Sequence, residues 1–181
     1  MSAVASVLKI AALGCAACGL AAPLAAPLAA QDENAAAPEQ AQEPTSGVGS
    51  FAWHSEQQSY LAALKRDDGW HFVEGGLRWR WLEYNGSQTR PSVSDSVTAH
   101  YEGKLIDGTV FDSSYARGEP ATFPLSGLIR GWQLAIPKMG LGETIEIAIP
   151  ADLAYGPVGR GPIPGGATLV FKVELVSIAG K

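Results

Sequence analysis

Apolar and polar side chains alternate strictly in four stretches of the chain. Leu77, Trp79 and Trp81 oppose Arg78 and Arg80, and Val97, Ala99, Tyr101 and Gly103 oppose Thr98, His100 and Glu102. Ile145, Ile147 and Ile149 oppose Thr144 and Glu146, and Leu169, Phe171, Val173 and Leu175 oppose Lys172 and Glu174. A period of two is the mark of a strand with one face buried. Elsewhere the period lengthens to 3.6. Trp53, Gln57, Tyr60, Leu61 and Leu64 share one side of a helix predicted over 52–66, which stops near Asp67-Asp68-Gly69. Ile129, Trp132 and Ile136 form the stripe of a second helix over 128–136, ahead of Pro137. Several alternating strands and one short helix among them predict an α+β domain: an antiparallel sheet folded over that helix, with a short helix before it.

Between these segments lie stretches dense in turn residues. LIDGTVFDSSYARGEPATFPL, residues 105–125, interleaves apolar residues with Asp, Gly, Ser and Pro. Asp107-Gly108 is a hairpin turn dipeptide, which gives Asp107 a structural role and ends a strand at Phe111 and Asp112. Ser113 and Ser114 read as turn caps. YGPVGRGPIPGG, residues 155–166, is a loop shaped to reach over something, because interleaved prolines and a following strand rule out a phosphate cradle at a helix N-terminus.

Composition changes this reading mainly at the N-terminus. The overall hydrophobic fraction of 46% is inflated by residues 1–30, an Ala- and Leu-rich run with one charge, Lys9, and both cysteines. That run, followed by polar QDEN, predicts an export signal cleaved near Ala29-Ala30, hence an exported, periplasmic protein. A lipoprotein signal, with lipid on Cys15 or Cys18, is the alternative. Residues 31–50, rich in Gln, Glu, Pro and Ala, predict a disordered linker. The remaining divisions are a helical extension at 51–74 and a folded domain at 75–181. A net charge of -5 argues against a nucleic-acid partner, which needs a basic surface.

Common catalytic chemistry is missing from the pattern. His54, His71 and His100 fall on separate elements at no metal-ligand spacing. No serine sits on a nucleophile elbow. A domain whose distinctive residues are aromatic or apolar, with a few isolated polar groups, predicts an apolar binding pocket.

AHYEGKL at 99–105, DGTVFDSS at 107–114, LIRGW at 128–132, PADLAYG at 150–156 and ATLVFKVEL at 167–175 follow one another in the order and spacing of a known family. From about residue 75 onward the chain resembles the FKBP-type peptidyl-prolyl cis-trans isomerases, and residues 60–83 resemble the lead-in of exported bacterial members. The resemblance implies a curved antiparallel sheet wrapped around a short helix, and a pocket between helix and sheet with Trp132 as its floor. It implies catalytic roles for Tyr101, Asp112 and Tyr155, and substrate-binding roles for Phe111, Arg117, Leu128, Ile129, Trp132, Ile163 and Phe171. It further implies Pro-containing polypeptides as substrates, macrolide inhibitors as ligands, and no cofactor or metal. A chaperone or peptide-binding module with little catalysis is the competing function. Two departures stand out: Ala121 where many members carry an aromatic, which opens one wall, and Gly165 where proline is common, in a loop shortened by a residue. The first helix is too short for the long dimerising helices of some relatives, so a monomer is expected.

Overall fold

A computed structural model of the chain describes residues 47–181. The export signal, the lipid-anchor alternative at Cys15 or Cys18, and the linker as far as residue 46 lie outside the described residues. Helix α1 spans Phe51–Ala63, and strands β1 (His71–Phe72), β2 (Arg78–Glu83), β3 (Ser96–Leu105) and β4 (Val110–Ser113) follow. A single helical turn α2 (Ser114–Arg117), strand β5 (Ala121–Pro124) and helix α3 (Arg130–Ala135) come next. Strand β6 (Thr144–Ile149), a small pair β7 (Gly159–Arg160) and β8 (Ile163–Pro164), and strand β9 (Leu169–Ile178) complete the order.

The main sheet is antiparallel, in the order β1-β2-β6-β9-β3-β4, with β5 also paired to β3. Its spine is the pairing of β3 with β9, which runs from Val97↔Ile178 to Leu105↔Leu169. One half of β3 pairs with β5 and the other with β4, so the sheet divides at Tyr101. Inward-facing Val97, Ala99, Tyr101, Ile145, Ile147, Ile149, Leu169, Phe171, Val173 and Leu175 are all buried, as the alternation requires. They close over α3, whose Trp132 and Ala135, with Ile136 just beyond, are buried against them. Gly131 permits this contact, because a Cβ there would overlap the Ile149 side chain. Helix α3 is shorter than 128–136: Ile129 is its N-cap, and Ile136–Lys138 tighten into a 3-10 turn that accommodates Pro137.

Helix α1 covers the other face of β6. Leu61 and Trp70 are buried with Ala148, whose side chain alternates away from Ile147 and Ile149, and Tyr60 and Leu64 pack around them. Burial of two such side chains is worth roughly 1.5–3 kcal/mol each. The Ser50 Oγ caps α1 by accepting from the Trp53 N–H at 3.1 Å. The helix ends at Ala63 rather than 66, because the chain turns through Arg66–Asp68 and Gly69 (φ 82°) to bring Trp70 back beside Leu61. Gln57, on the same stripe, is buried, and its Oε1 accepts from the Thr168 N–H at 2.9 Å just ahead of β9. His71 and Phe72 pair with β2, so the sheet begins upstream of residue 75. Among the described residues no helix is long and apolar enough to cross a membrane.

Candidate functional site

The β3–β4 hairpin places the first wall. Leu105 N–H donates to Thr109 O at 2.9 Å, Thr109 N–H donates to Asp107 Oδ1 at 2.8 Å, and Gly108 takes φ 90°, so Asp107-Gly108 is the turn that its sequence predicts. The register then sets Asp112 opposite Gly103, with a bulge at the next step. Gly103 is essential to the geometry: a Cβ there would lie 2.6 Å from both Phe111 Cε2 and Phe171 Cε1. Without one, the two rings meet edge-to-face at 5.6 Å.

Ser113 and Ser114 divide their work. The Ser113 Oγ accepts from the Ala116 N–H at 3.2 Å and caps α2, as expected. Ser114 is not a cap: its buried Oγ accepts from the Tyr101 N–H at 2.7 Å and donates to the Tyr101 carbonyl at 3.2 Å. That hydroxyl fills the gap that the divided sheet leaves on β3 and pins Tyr101 in place. The single turn α2, closed by Gly118 at φ 78°, swings Arg117 back toward the strand it left. There Arg117 Nη1 bonds Asp112 Oδ1, Arg117 Nη2 donates to the Tyr101 hydroxyl at 2.8 Å, and that hydroxyl donates to Asp112 Oδ2 at 2.6 Å. Burial alone would raise the Asp112 carboxyl, but the Tyr101 and Arg117 hydrogen bonds outweigh it and hold the group below the usual carboxylate range. Burial and the bond to Asp112 push the Tyr101 hydroxyl up. Asp112 is therefore an anion and Tyr101 a neutral donor at neutral pH.

These residues border a cavity of about 420 Å³. Tyr101, Phe111, Asp112, Leu128, Ile129, Trp132, Tyr155, Ile163 and Phe171 line it, while Arg117 stands behind Asp112 and Tyr101. Trp132 is 4% exposed and meets Tyr101, Phe171 and Phe123 edge-to-face at 5.6, 5.4 and 6.3 Å. Ala121 stands back against the core beside Ala99. The aromatic on that side is Phe123, two residues along, which lines the cavity and meets Tyr101 at 5.9 Å. Sequence reasoning passed over Phe123, although the period of two in β5 sets Ala121 and Phe123 on one face.

The opposite wall is the loop after Tyr155, where Arg160, Gly161 and Pro162 join the lining without having been singled out by sequence. The chain doubles back so tightly that a Cβ at Gly165 would overlap the Pro157 carbonyl oxygen. One at Gly159 would overlap the Ile163 oxygen. Gly165 in place of proline is thus what this shorter loop requires. The polar groups at the cavity that have no partner among the described residues include the Tyr155 hydroxyl and the Ile129 N–H. Among the described residues, no three His, Cys, Asp or Glu side chains gather as a metal site.

Residues 87–176 match the family described as FKBP-type peptidyl-prolyl cis-trans isomerase. FK506-binding protein 2 of Debaryomyces hansenii is 56% identical over 95 residues, which cover 51% of this chain and 70% of that protein. The chain belongs to the FKBP-type peptidyl-prolyl cis-trans isomerase family. The peptidyl-prolyl cis-trans isomerase Mip of Coxiella burnetii is 45% identical over 127 residues, 70% of this chain and 55% of that protein. Among solved structures, a peptidyl-prolyl cis-trans isomerase from Pseudomonas syringae superposes with a TM-score of 0.64 at 30% identity, covering 70% of this chain and 93% of that one. The chain spans about half to three fifths of the length of the first curated bacterial FKBP-type relatives it matches.

Proposed function

We propose that this protein catalyses cis-trans isomerisation of X-Pro bonds in polypeptides, using the cavity over Trp132. The observation that carries the reading is a cavity walled by aromatic and aliphatic side chains, with the unpaired Tyr155 hydroxyl and Ile129 N–H at its border. The reaction needs nothing more. Rotation about the X-Pro bond breaks no covalent bond; its barrier, roughly 18–20 kcal/mol, is the loss of amide resonance. A proline ring seated on Trp132 between Phe111 and Phe171 leaves water, and the planar amide, with its larger dipole, loses more solvation than the twisted one. The Tyr155 hydroxyl and the Ile129 N–H hold carbonyls flanking the bond, in a geometry that fits the twisted form better. Asp112, kept ionised and oriented by Tyr101 and Arg117, lends negative charge near the carbon of the rotating carbonyl.

In this reading residues 75–181 carry the isomerase, 51–74 are a helical extension, and the chain is exported to the periplasm through residues 1–30, with a lipid anchor at Cys15 or Cys18 as the alternative. Its substrates are folding polypeptides, macrolide inhibitors compete for the cavity, and the protein acts as a monomer without cofactor. Phe123 supports catalysis over mere binding, because the aromatic enclosure is kept despite Ala121. A protease-coupled assay on a tetrapeptide containing Leu-Pro tests the activity. Acceleration proportional to protein concentration, lost in Trp132→Ala, is expected; binding of the peptide with no acceleration would leave only a peptide-binding module.

A further inference from the structure

Of the residues that line the cavity, two carry charge, and they are not alike. Asp112 is neutralised by Arg117. The Arg160 side chain has no carboxylate within 4 Å and no hydrogen-bond partner among the described residues. Its guanidinium lies 5.6 Å from the centre of the Tyr155 ring, whose hydroxyl is the proposed holder of a substrate carbonyl. In a chain of net charge -5, an uncompensated cation at the cavity rim is a local feature that opposes the general charge.

The backbone fixes where that cation sits. Arg160 pairs in register with Ile163, which is buried in the cavity wall, so the two residues are tied across a hairpin whose loop is Gly161-Pro162. Gly159 and Gly161, at φ 75° and 54°, flank it in a conformation that other residues rarely adopt. The Gly166 N–H donates to the Gly156 carbonyl at 2.8 Å and closes the base of the loop. Helix α1 presses on that base: a Cβ at Gly166 would lie 2.6 Å from His54 Cε1 and 3.1 Å from Trp53. Arg160 is therefore presented to the cavity from a braced hairpin rather than from a loose tip.

We propose that Arg160 is a specificity-determining residue that favours prolyl segments with an acidic side chain next to the proline. The inference rests on the isomerase reading above. A carboxylate on the residue adjoining the bound proline pairs with the guanidinium above Tyr155, whereas a neutral amide of the same size offers at most a weaker hydrogen bond without the charge. The contact is exposed, so the expected preference is modest, about two- to fivefold. It is also sensitive to salt, because the screening length shrinks to roughly 3 Å at 1 M.

The test is the catalysed cis-trans exchange rate by NMR, with the full chain and two peptide pairs, one with Glu or Gln directly before proline, the other with Glu or Gln directly after. In at least one pair the Glu peptide is turned over about two- to fivefold faster by the wild type, and the ratio falls toward unity at 1 M salt. Arg160→Gln brings the ratio to one, Arg160→Lys restores it in part, and Arg160→Glu inverts it. The ratio is read within each variant, so any change in overall rate cancels. Equal rates for Glu and Gln in both pairs, or a preference that persists in Arg160→Gln, overturn the assignment. Absence of catalysed exchange with all four peptides would instead overturn the isomerase reading itself.

Discussion

Replacing Asp112 by alanine separates a functional role for the Tyr101–Asp112–Arg117 group from a purely structural one. The carboxylate accepts from the Tyr101 hydroxyl at 2.6 Å and pairs with Arg117, and both charged side chains are 44% exposed. At that exposure the ion pair contributes little to stability. The Tyr101 bond is the stronger one. A hydrogen bond to a charged group is worth about 1.5–3 kcal/mol when sheltered, and halving for exposure leaves about 0.75–1.5 kcal/mol. If that bond orients the wall against the substrate, its loss lowers kcat/KM by about four- to twelvefold, at about 1.36 kcal/mol per factor of ten. Arg117→Ala, which spares the Tyr101–Asp112 bond, lowers it less than about threefold. Tyr101→Phe with Asp112→Ala loses no more than the larger single change, because both remove the same bond. The assay is peptide isomerisation, with urea unfolding to show that each variant is folded. Unchanged turnover in Asp112→Ala, or additive losses in the double variant, would refute the role.

Three further outcomes follow from the packing. Gly165→Ala forces a Cβ onto the Pro157 carbonyl oxygen, which costs about 1–3 kcal/mol in urea unfolding and lowers turnover by displacing Ile163 and Arg160. Gln57→Leu leaves the buried Thr168 N–H without its acceptor and costs about 1–3 kcal/mol by the same measurement, with the cavity lining untouched. Burial would raise the Glu143 carboxyl, but its Oε2, accepting from the Gly140 N–H at 2.7 Å and Trp81 Nε1–H at 3.2 Å, brings it net below its ordinary 4.5. A depressed folded value stabilises above the ordinary one and is lost as pH falls through the folded one, so urea stability declines on acidification below about pH 4.5, less steeply in Glu143→Gln.

The strands were readable because each buries one face, and burial of one face imprints a period of two on the sequence. The Asp107-Gly108 turn was readable for a similar reason: its conformation suits few residue pairs. The five quoted motifs hold eight of the residues that the fold brings round one cavity: Tyr101, Phe111, Asp112, Leu128, Ile129, Trp132, Tyr155 and Phe171. What escaped depends on distance across the fold. Whether Ala121 or Phe123 reaches the cavity is set by side-chain length along one face of β5, which periodicity does not encode. Ser114 looked like a cap because its partner, the backbone of Tyr101, is remote in sequence and exposed only by the division of the sheet. Gln57 reads in the sequence only as one position of a helical stripe, although its side chain accepts from the Thr168 N–H ahead of β9. Gly103 carries no side chain to draw attention, and only the rings of Phe111 and Phe171 show why that position must stay bare.

The central claim is that the cavity turns over prolyl bonds and does not merely hold them. Two-dimensional NMR exchange on a Leu-Pro peptide, with the full chain at a small fraction of the peptide concentration, measures both events at once. The account predicts cis-trans exchange that rises linearly with protein, together with shifts at the Ile129 amide and the Trp132 indole as peptide is added. Shifts at those two residues with exchange no faster than in buffer would contradict it.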